Sequence, residues 1–594
     1  MYLINSMKSY SIENIRIQDI LLISICILLF LNRAVPIDYS SIWRVTVLCL
    51  IYTCIRIMPK RQCYCLLYIV CIWGITEVII STLQKVNYLE SNHHDFGITG
   101  TFGNPGPLGG LLAVCWIVSI FFIYENIQNK HRILTLSFCM IACFILYGLL
   151  LSGSRAGWTA ALVGSMIFLW QWLKRKHTIK VKPTLLKSGF LLIITVFIIS
   201  IYFIRRDSAD GRLLIWYNTI KMIEDYPLFG IGTGGWQANY MLYQAEYFLQ
   251  ATNSPYTLLA DNIFYTYNEF LYITAEQGIV GLVVVSWLFY ALFSYKEKNN
   301  TDHCLKSALT TFLVFSFFSY PDQVFPLEIL FISIIGMMKS KTIKVFTISI
   351  LAKYIVRSIA SISIICISIW SYHIYHKTFT TIIRIVDKNK ISEEAHSQLS
   401  TLYPLFCYNP QLMYIYSKSS LEDYPLNTKP QILQTAARIA PNSELYIKMG
   451  DFWKQKRDYA QAEACYQTAA AMIPHHITPS YKLFQLYIDK GNINAAIDMG
   501  NYLLKQPIKK KGTKALRMEA EILEFLHKEK NIKKRECNLN SVWFLFLLNH
   551  NKYNFFFLDL QMLLKVVFGC VQGRRRMSRL YTLAHIRELP FLCV

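Results

Sequence analysis

Pro105 to Tyr124 reads PGPLGGLLAVCWIVSIFFIY, twenty residues without one charged side chain. A helix rises about 1.5 Å per residue, so this run is about 30 Å long, the thickness of a bilayer's hydrocarbon core. Ten more runs meet the same rule, near 19–32, 42–58, 63–83, 133–151, 156–173, 188–204, 279–295, 305–320, 325–338 and 354–374. The fold expected is therefore all-α, a polytopic membrane helix bundle of about eleven spans; 10–12 stay open because the first and tenth runs are short. Composition agrees: the 594 residues are 54% hydrophobic and only 16% charged, with a mean hydropathy of +0.32. A soluble chain is near a quarter charged. Most of the sixteen cysteines lie in or beside apolar runs and read as small hydrophobes rather than a disulfide framework.

Short cytoplasmic loops retain Lys and Arg, and exported loops do not. With a cytoplasmic N-terminus, the loops on that side hold twenty Lys and Arg, from Lys8 and Arg16 to Lys344 and Lys353, while the short loops opposite hold Arg33, Lys85 and Arg155. An odd span count then places everything after Tyr372 outside. The net charge of +23 is chiefly this topology signal plus a basic tail, so no nucleic-acid partner is expected.

Three regions follow. Residues 1–374 form the membrane domain, with a long outward segment at 205–278 whose tryptophans, tyrosines and glycines argue for packing rather than disorder. Residues 375–530 read as amphipathic helical repeats. Tyr446, Met449, Gly450, Trp453, Ala462, Tyr466, Ala469 and Pro474 fit the tetratricopeptide template, and a weaker copy follows at Leu483, Tyr487, Gly491, Ala496 and Pro507. Such repeats either offer a partner-binding surface or brace the membrane domain. Residues 531–594 alternate basic clusters with aromatic runs and read as an irregular extension.

Motifs for phosphate-loop ATPases and zinc proteases are absent. No metal-ligand spacing occurs, adjacent His93 and His94 included, and no cofactor is expected. Glu77 lies inside the third span and is expected to pair with Arg56 or Arg44. Chemistry-bearing residues gather instead around the outward segment. Arg155, in Ser152-Gly153-Ser154-Arg155, sits at the outward junction of two spans, where it either snorkels or serves a ligand. Arg205 and Arg206 end the seventh span. Arg212 and Trp216 open an amphipathic helix that runs to Pro227-Leu228-Phe229-Gly230-Ile231-Gly232-Thr233-Gly234-Gly235, whose glycines allow turns with exposed N–H groups. Tyr267-Asn268-Glu269 precedes the eighth span, with Glu269 either a general base or a structural charge, and Asn268 either a ligand or a helix cap.

Gly100-Thr101-Phe102-Gly103-Asn104-Pro105, then Ser154-Arg155-Ala156-Gly157-Trp158, Gly211-Arg212 with Trp216, Pro227 to Gly232, and Asn268-Glu269-Phe270-Leu271 with Gly278 and Gly281 stand in one order around one outer segment. Over roughly residues 95–340 this order resembles the O-antigen ligase and polymerase superfamily of membrane glycosyltransferases. The resemblance implies a bacterial inner-membrane protein with periplasmic repeats, a polyprenyl pyrophosphate-linked glycan as donor, and a hydroxyl on a lipid A-core, another glycan or a protein as acceptor. It also implies metal-independent, inverting transfer. Arg155 and Arg212 would stabilise the departing pyrophosphate, helped by Arg205, Arg206, Trp216, Gly232, Gly234 and Asn268 as substrate contacts. Family members often carry His-Asn before the final spans; here Tyr267 replaces the histidine, so that either Glu269 serves as the base, or Tyr267 only positions the acceptor, or the chain has lost transferase activity. Two other readings compete: a flippase for the lipid-linked glycan, and a scaffold whose repeats bind a partner.

Overall fold

The computed structural model describes residues 10–36, 38–93, 95–175, 183–204, 206–251, 254–296, 299–388, 402–410, 412–413, 429–509 and 512–549. It is helical almost throughout. The elements used below are β1 (Tyr10–Arg16), α1 (Ile17–Leu31), α2 (Tyr39–Arg56), α3 (Lys60–Lys85), α4 (Pro105–Gln128), α5 (Arg132–Leu151), α6 (Arg155–Arg175), α7 (Pro183–Ile204), α8 (Arg206–Asp225), α9 (Gly235–Gln250), α10 (Glu269–Phe293), α11 (Asn300–Phe317), α12 (Phe325–Met337), β2 (Thr342–Ser349) and α13 (Ile350–Lys388). Beyond them run α14 (Lys429–Ile439), α15 (Ser443–Gln455), α16 (Tyr459–Met472), α17 (Ile477–Asp489), α18 (Ile493–Lys505) and α19 (Thr513–Asn549).

All eleven apolar runs lie on helices, and the chain is a multi-pass membrane protein. Among the described residues, six helices are long and apolar enough to cross a bilayer unaided: α3, α4, α5, α6, α10 and the apolar part of α13. Three others, Ile17–Leu31, Ser188–Ser200 and Phe325–Met337, are apolar but shorter. The count expected from sequence is thus larger than the number of self-sufficient spans.

The run that decided the fold is the central helix. In α4, 78% of the spanning window is buried inside the protein, against 6% in α13. Its small residues explain this. Added side chains at Gly109 or Gly110 would strike Ser154 or Phe315, and one at Gly157 of α6 would strike the Gly109 backbone, so the helices meet at close range. Leu108, Leu111, Phe121 and Phe122 fill the rest of that core with Phe315 and Leu309 of α11.

Helix-end contacts sort into two ends, as an alternating chain requires. At one, β1 pairs antiparallel with β2, Arg56 bridges Asp19 at 2.9 Å and Lys339 bridges Asp302 at 3.4 Å. At the other, Arg44 bridges Glu328 at 2.8 Å and the segment 206–268 packs over the bundle. We call these the sheet end and the loop end. The sheet is absent from the sequence reading, because its strands are distant in the chain and neither has a local partner.

Three expectations change here. Glu77 pairs with neither Arg44 nor Arg56, which have taken Glu328 and Asp19; it accepts from Thr101 N (2.9 Å), Thr101 Oγ1 (2.5 Å) and Trp73 Nε1 (3.3 Å), tying α3 to the turn before α4. The boundary near residue 374 is not a break in the structure: α13 runs through it, and residues 1–516 form one compact unit. Within that unit, Gln244 Nε2 of α9 donates to the Met472 carbonyl at 2.7 Å, and Met472 and Ile473 share a core with Trp236 and Tyr240. The second unit begins at Arg517, where α19 continues through the expected irregular boundary at 531 to Asn549; residues 550–594 lie outside the described residues.

Candidate active site at the loop end

Arg155 is placed by a tight turn. Gly153 adopts φ +62°, and Ser154 Oγ accepts from Gly157 N at 3.2 Å, so α6 starts capped with Arg155 in its first turn. Nη2 of Arg155 donates to Ser208 Oγ of α8 at 2.9 Å. One helical turn on, Arg212 Nη1 donates to the Phe318 carbonyl at 2.9 Å, and its guanidinium carbon lies 4.9 Å from the centre of the Tyr267 ring. The two arginines line one cavity of about 190 Å³ with Thr159, Tyr202, Trp216 and Phe318. Trp216 is fixed there by its Nε1, which donates to the Thr266 carbonyl at 3.0 Å. Burial lowers the pKa of Arg212 from its ordinary value; Tyr267 opposes this and the charge of Arg155 adds to it. The two guanidiniums are close enough to feel each other's charge, and an anion in the cavity would be attracted to both.

Tyr267 lies beneath the Arg212 guanidinium. It is one of four non-glycine residues with positive φ among those described, at +53°, a conformation that costs energy and is kept only where surroundings enforce it. Tyr320 stands edge-on to the Tyr267 ring with centres 5.2 Å apart, and stacks flat on Tyr265 at 3.8 Å. Burial pushes the Tyr267 phenol above its ordinary value of 10.0, against the pull of Arg212. Asn268 is buried and caps α10, its Oδ1 accepting from Phe270 N and Leu271 N at 3.0 and 3.1 Å. Of the two roles expected for Asn268, the cap is the one these bonds describe. Glu269 is also buried and does not line the arginine cavity; its Oε1 accepts from Asp322 N at 3.1 Å and the two carboxyls are hydrogen-bonded to each other. Burial lifts Asp322 above the usual carboxylate range, against the effects of Glu269 and Arg44.

The glycine-rich loop does not present its N–H groups to a ligand. Ile231 N, Gly232 N and Gly234 N donate to the Ala275 carbonyl, the Glu276 carbonyl and Glu276 Oε1, each at 2.9 Å, and Gly235 N closes back on Gly232. Gly232 and Gly234, expected to bind substrate, instead let this strap lie against α10. Gly278, at φ +63°, marks the point of contact: a side chain there would run into the Leu228 carbonyl, while Ile279 N and Val280 N donate to Pro227 and Leu228. So the eighth helix begins at Glu269 rather than near 279, kinked at Gly278. Arg206 faces Asp210 at 3.4 Å on an exposed surface, with Tyr202 donating to the same carboxylate at 2.8 Å. Arg205 lies outside the described residues, as does His94; His93 Nδ1 accepts from Asp95 N at 3.0 Å.

Residues 139–286 match a family model described as O-Antigen ligase, and that stretch holds Arg155, Arg212, Tyr267 and Glu269. Over that stretch the chain is similar to the O-antigen ligase family. Two curated relatives are similar to it as well. A Rickettsia felis protein named "Putative polysaccharide ligase" is 24% identical over 234 residues, covering 37% of this chain and 54% of its own length. A Rickettsia conorii protein of the same description is 24% identical over 200 residues, covering 32% and 46%. The chain therefore spans about half the length of the curated relatives it matches. The sequence reading missed Asp322, Tyr320 and Ser208. The first two stand in Ser319-Tyr320-Pro321-Asp322, a short connection whose aromatic and carboxylate were a usable signal; Ser208 gave none.

Proposed function

We propose that the chain is a membrane glycosyltransferase that moves a glycan from a polyprenyl pyrophosphate carrier to an acceptor hydroxyl, with inversion and without a metal, at the outer face of a bacterial inner membrane. The observation that carries this reading is the convergence of Arg155 and Arg212 on one cavity at the loop end. As the anomeric C–O bond breaks, its electron pair passes to the pyrophosphate oxygen, and two permanently charged guanidiniums stabilise that charge. The acceptor oxygen bonds to the anomeric carbon from the opposite face. Its proton passes to the carboxylate of Glu269, which Asp322 N holds in place at 3.1 Å. Tyr267 orients Arg212 and takes no proton.

On this reading the loop end is periplasmic and the N-terminus cytoplasmic. Helices α15 to α18 act as tetratricopeptide-like repeats: Gly450 packs against Tyr466, with Ala462 and Ala469 fully buried. The contact of Met472 with α9 braces the loop end, and the outward faces remain for a protein partner.

Deleting the gene and examining surface glycans tests the reading. Lipid-linked glycan building up on the outer leaflet, beside unmodified acceptor, is the expected result. Accumulation confined to the cytoplasmic leaflet would instead identify a flippase and sink the proposal.

A further inference from the structure

A second cavity, of about 230 Å³, is lined by residues of the chain segments that hold Tyr267 and Phe318 against Arg212. Its walls are Leu22, Ile25 and Leu28 of α1, Gly281 and Val285 of α10 and Phe312 of α11. Such a slot suits an aliphatic chain, each buried methylene contributing about 0.8 kcal/mol. Its head end has a different character. Glu269, Asp322 and Glu328 line it, with Gln277, and the lining includes no Lys or Arg. Arg44 compensates one of the three carboxyls, bridging Glu328 at 2.8 Å and donating to the Asp322 backbone carbonyl at 2.9 Å. The remaining pair keeps a negative charge facing the cavity.

A diphosphate head at this end would meet like charge in a dehydrated setting. A hydroxyl head would instead donate to the ionised carboxyl, as a buried carboxylate requires. The two cavities thus differ in charge: two arginines line one, which favours an anionic head, and three carboxyls with no Lys or Arg line the other, which favours a neutral donor. Tyr267 under Arg212 and Glu269 in the second cavity are two residues apart, so their Cα atoms lie within about 7 Å. A hydroxyl at Glu269 is one side chain away from the donor.

We infer that this second cavity is the acceptor site and takes an amphiphile with an aliphatic chain and an uncharged hydroxyl head, the chain between α1 and α10 and the head at the Glu269 and Asp322 pair. The assignment of the amphiphile as acceptor rests on the transfer reading; the chemistry of the site does not. The test is photolabelling of the purified full chain in nanodiscs with two probes carrying the same diazirine-tagged dodecyl chain, one with a glucoside head and one with a diphosphate head. The glucoside should label residues 22–29 and 281–289 at least tenfold more than the diphosphate, and Val285→Trp, which fills the slot, should abolish that label. Retained diphosphate labelling near Arg212 in the variant shows that it is folded, and Ile25→Trp serves if it is not. Equal labelling by the two heads, a preference for the diphosphate, or no label at these positions overturns the inference. Because labelling needs no turnover, a failed deletion test with glucoside labelling intact would remove the transfer reading and leave a hydroxyl-amphiphile site.

Discussion

Arg212→Gln tests the centre of the proposed chemistry, and its size can be worked from the contacts. The guanidinium gives one hydrogen bond to the Phe318 carbonyl and covers the Tyr267 ring at 4.9 Å. A unit charge about 4 Å from a developing unit charge contributes about 4 kcal/mol at an effective dielectric of about 20. Half of that develops if the C–O bond is half broken in the transition state. Loss of the charge therefore costs about 2–4 kcal/mol, which is a fall of about thirty- to a thousandfold in kcat/KM at about 1.36 kcal/mol per decade. Arg212→Lys keeps the charge but loses the planar fork and the stacking on Tyr267, about 1–2 kcal/mol together, or about five- to thirtyfold. The assay is transfer by the purified protein in proteoliposomes, with kcat and KM resolved for donor and acceptor separately. The order expected is wild type, then Lys, then Gln, with the loss chiefly in kcat. Gln within threefold of wild type would refute the role. So would equal losses in Lys and Gln, since that pattern belongs to a residue that only holds Phe318 and Tyr267 in place.

Three further outcomes are expected. Glu269→Gln should lower kcat by about a hundred- to ten-thousandfold with donor binding unchanged, as for loss of a general base; full transfer by this variant in the same proteoliposomes would remove the carboxyl pair from the mechanism. Gly278→Ala forces a side chain into the Leu228 carbonyl at φ +63°, and the left-handed conformation alone costs about 1–2 kcal/mol, so thermal unfolding in detergent should drop by several degrees. His475 faces the Thr257 carbonyl at 3.0 Å, and burial lowers its pKa from 6.5, followed by an opposing effect of that carbonyl and a lowering by His476. Its unfolded form binds the proton more readily, so the stabilisation is fully present above 6.5 and is lost as pH falls below it; hydrogen-exchange protection factors at Thr257–Leu259 should fall on acidification and stay flat in His475→Asn.

Helices were legible because each apolar run carries its own reason to be one: a chain in lipid must satisfy its backbone locally. Arg155 and Arg212 were legible for a related reason, since a guanidinium at a membrane boundary is costly unless it serves something. What failed were readings that depended on a partner elsewhere in the chain. Four glycines between Gly230 and Gly235 looked like an open anion loop, but distant Glu276 takes two of their N–H groups, Gly234 N on its carboxylate and Gly232 N on its backbone carbonyl. Glu77 looked like half of an ion pair, yet the turn at Thr101 reached it first. Asp322 was overlooked for the same reason, as its meaning comes from Glu269 across the fold. A sequence states what each group needs; only the fold states which group supplies it.

The tyrosine that replaces the expected histidine then fits the rest of the site. Tyr267 cannot act as a base: it is buried, its phenol is pushed above 10.0, and it lies beneath a guanidinium. Freed from that duty, it lies with its ring under Arg212, which lines one cavity, while the chain turns from it to Glu269, which lines the other. Its left-handed backbone is the bend that makes this possible, because an extended strand would carry alternate residues 267 and 269 to the same face. On the proposed reading this placement has a chemical use. A carboxylate beside the arginines would form an ion pair with them and exclude the pyrophosphate; lining a different cavity, Glu269 can take a proton from the acceptor while the guanidiniums stay available to the donor.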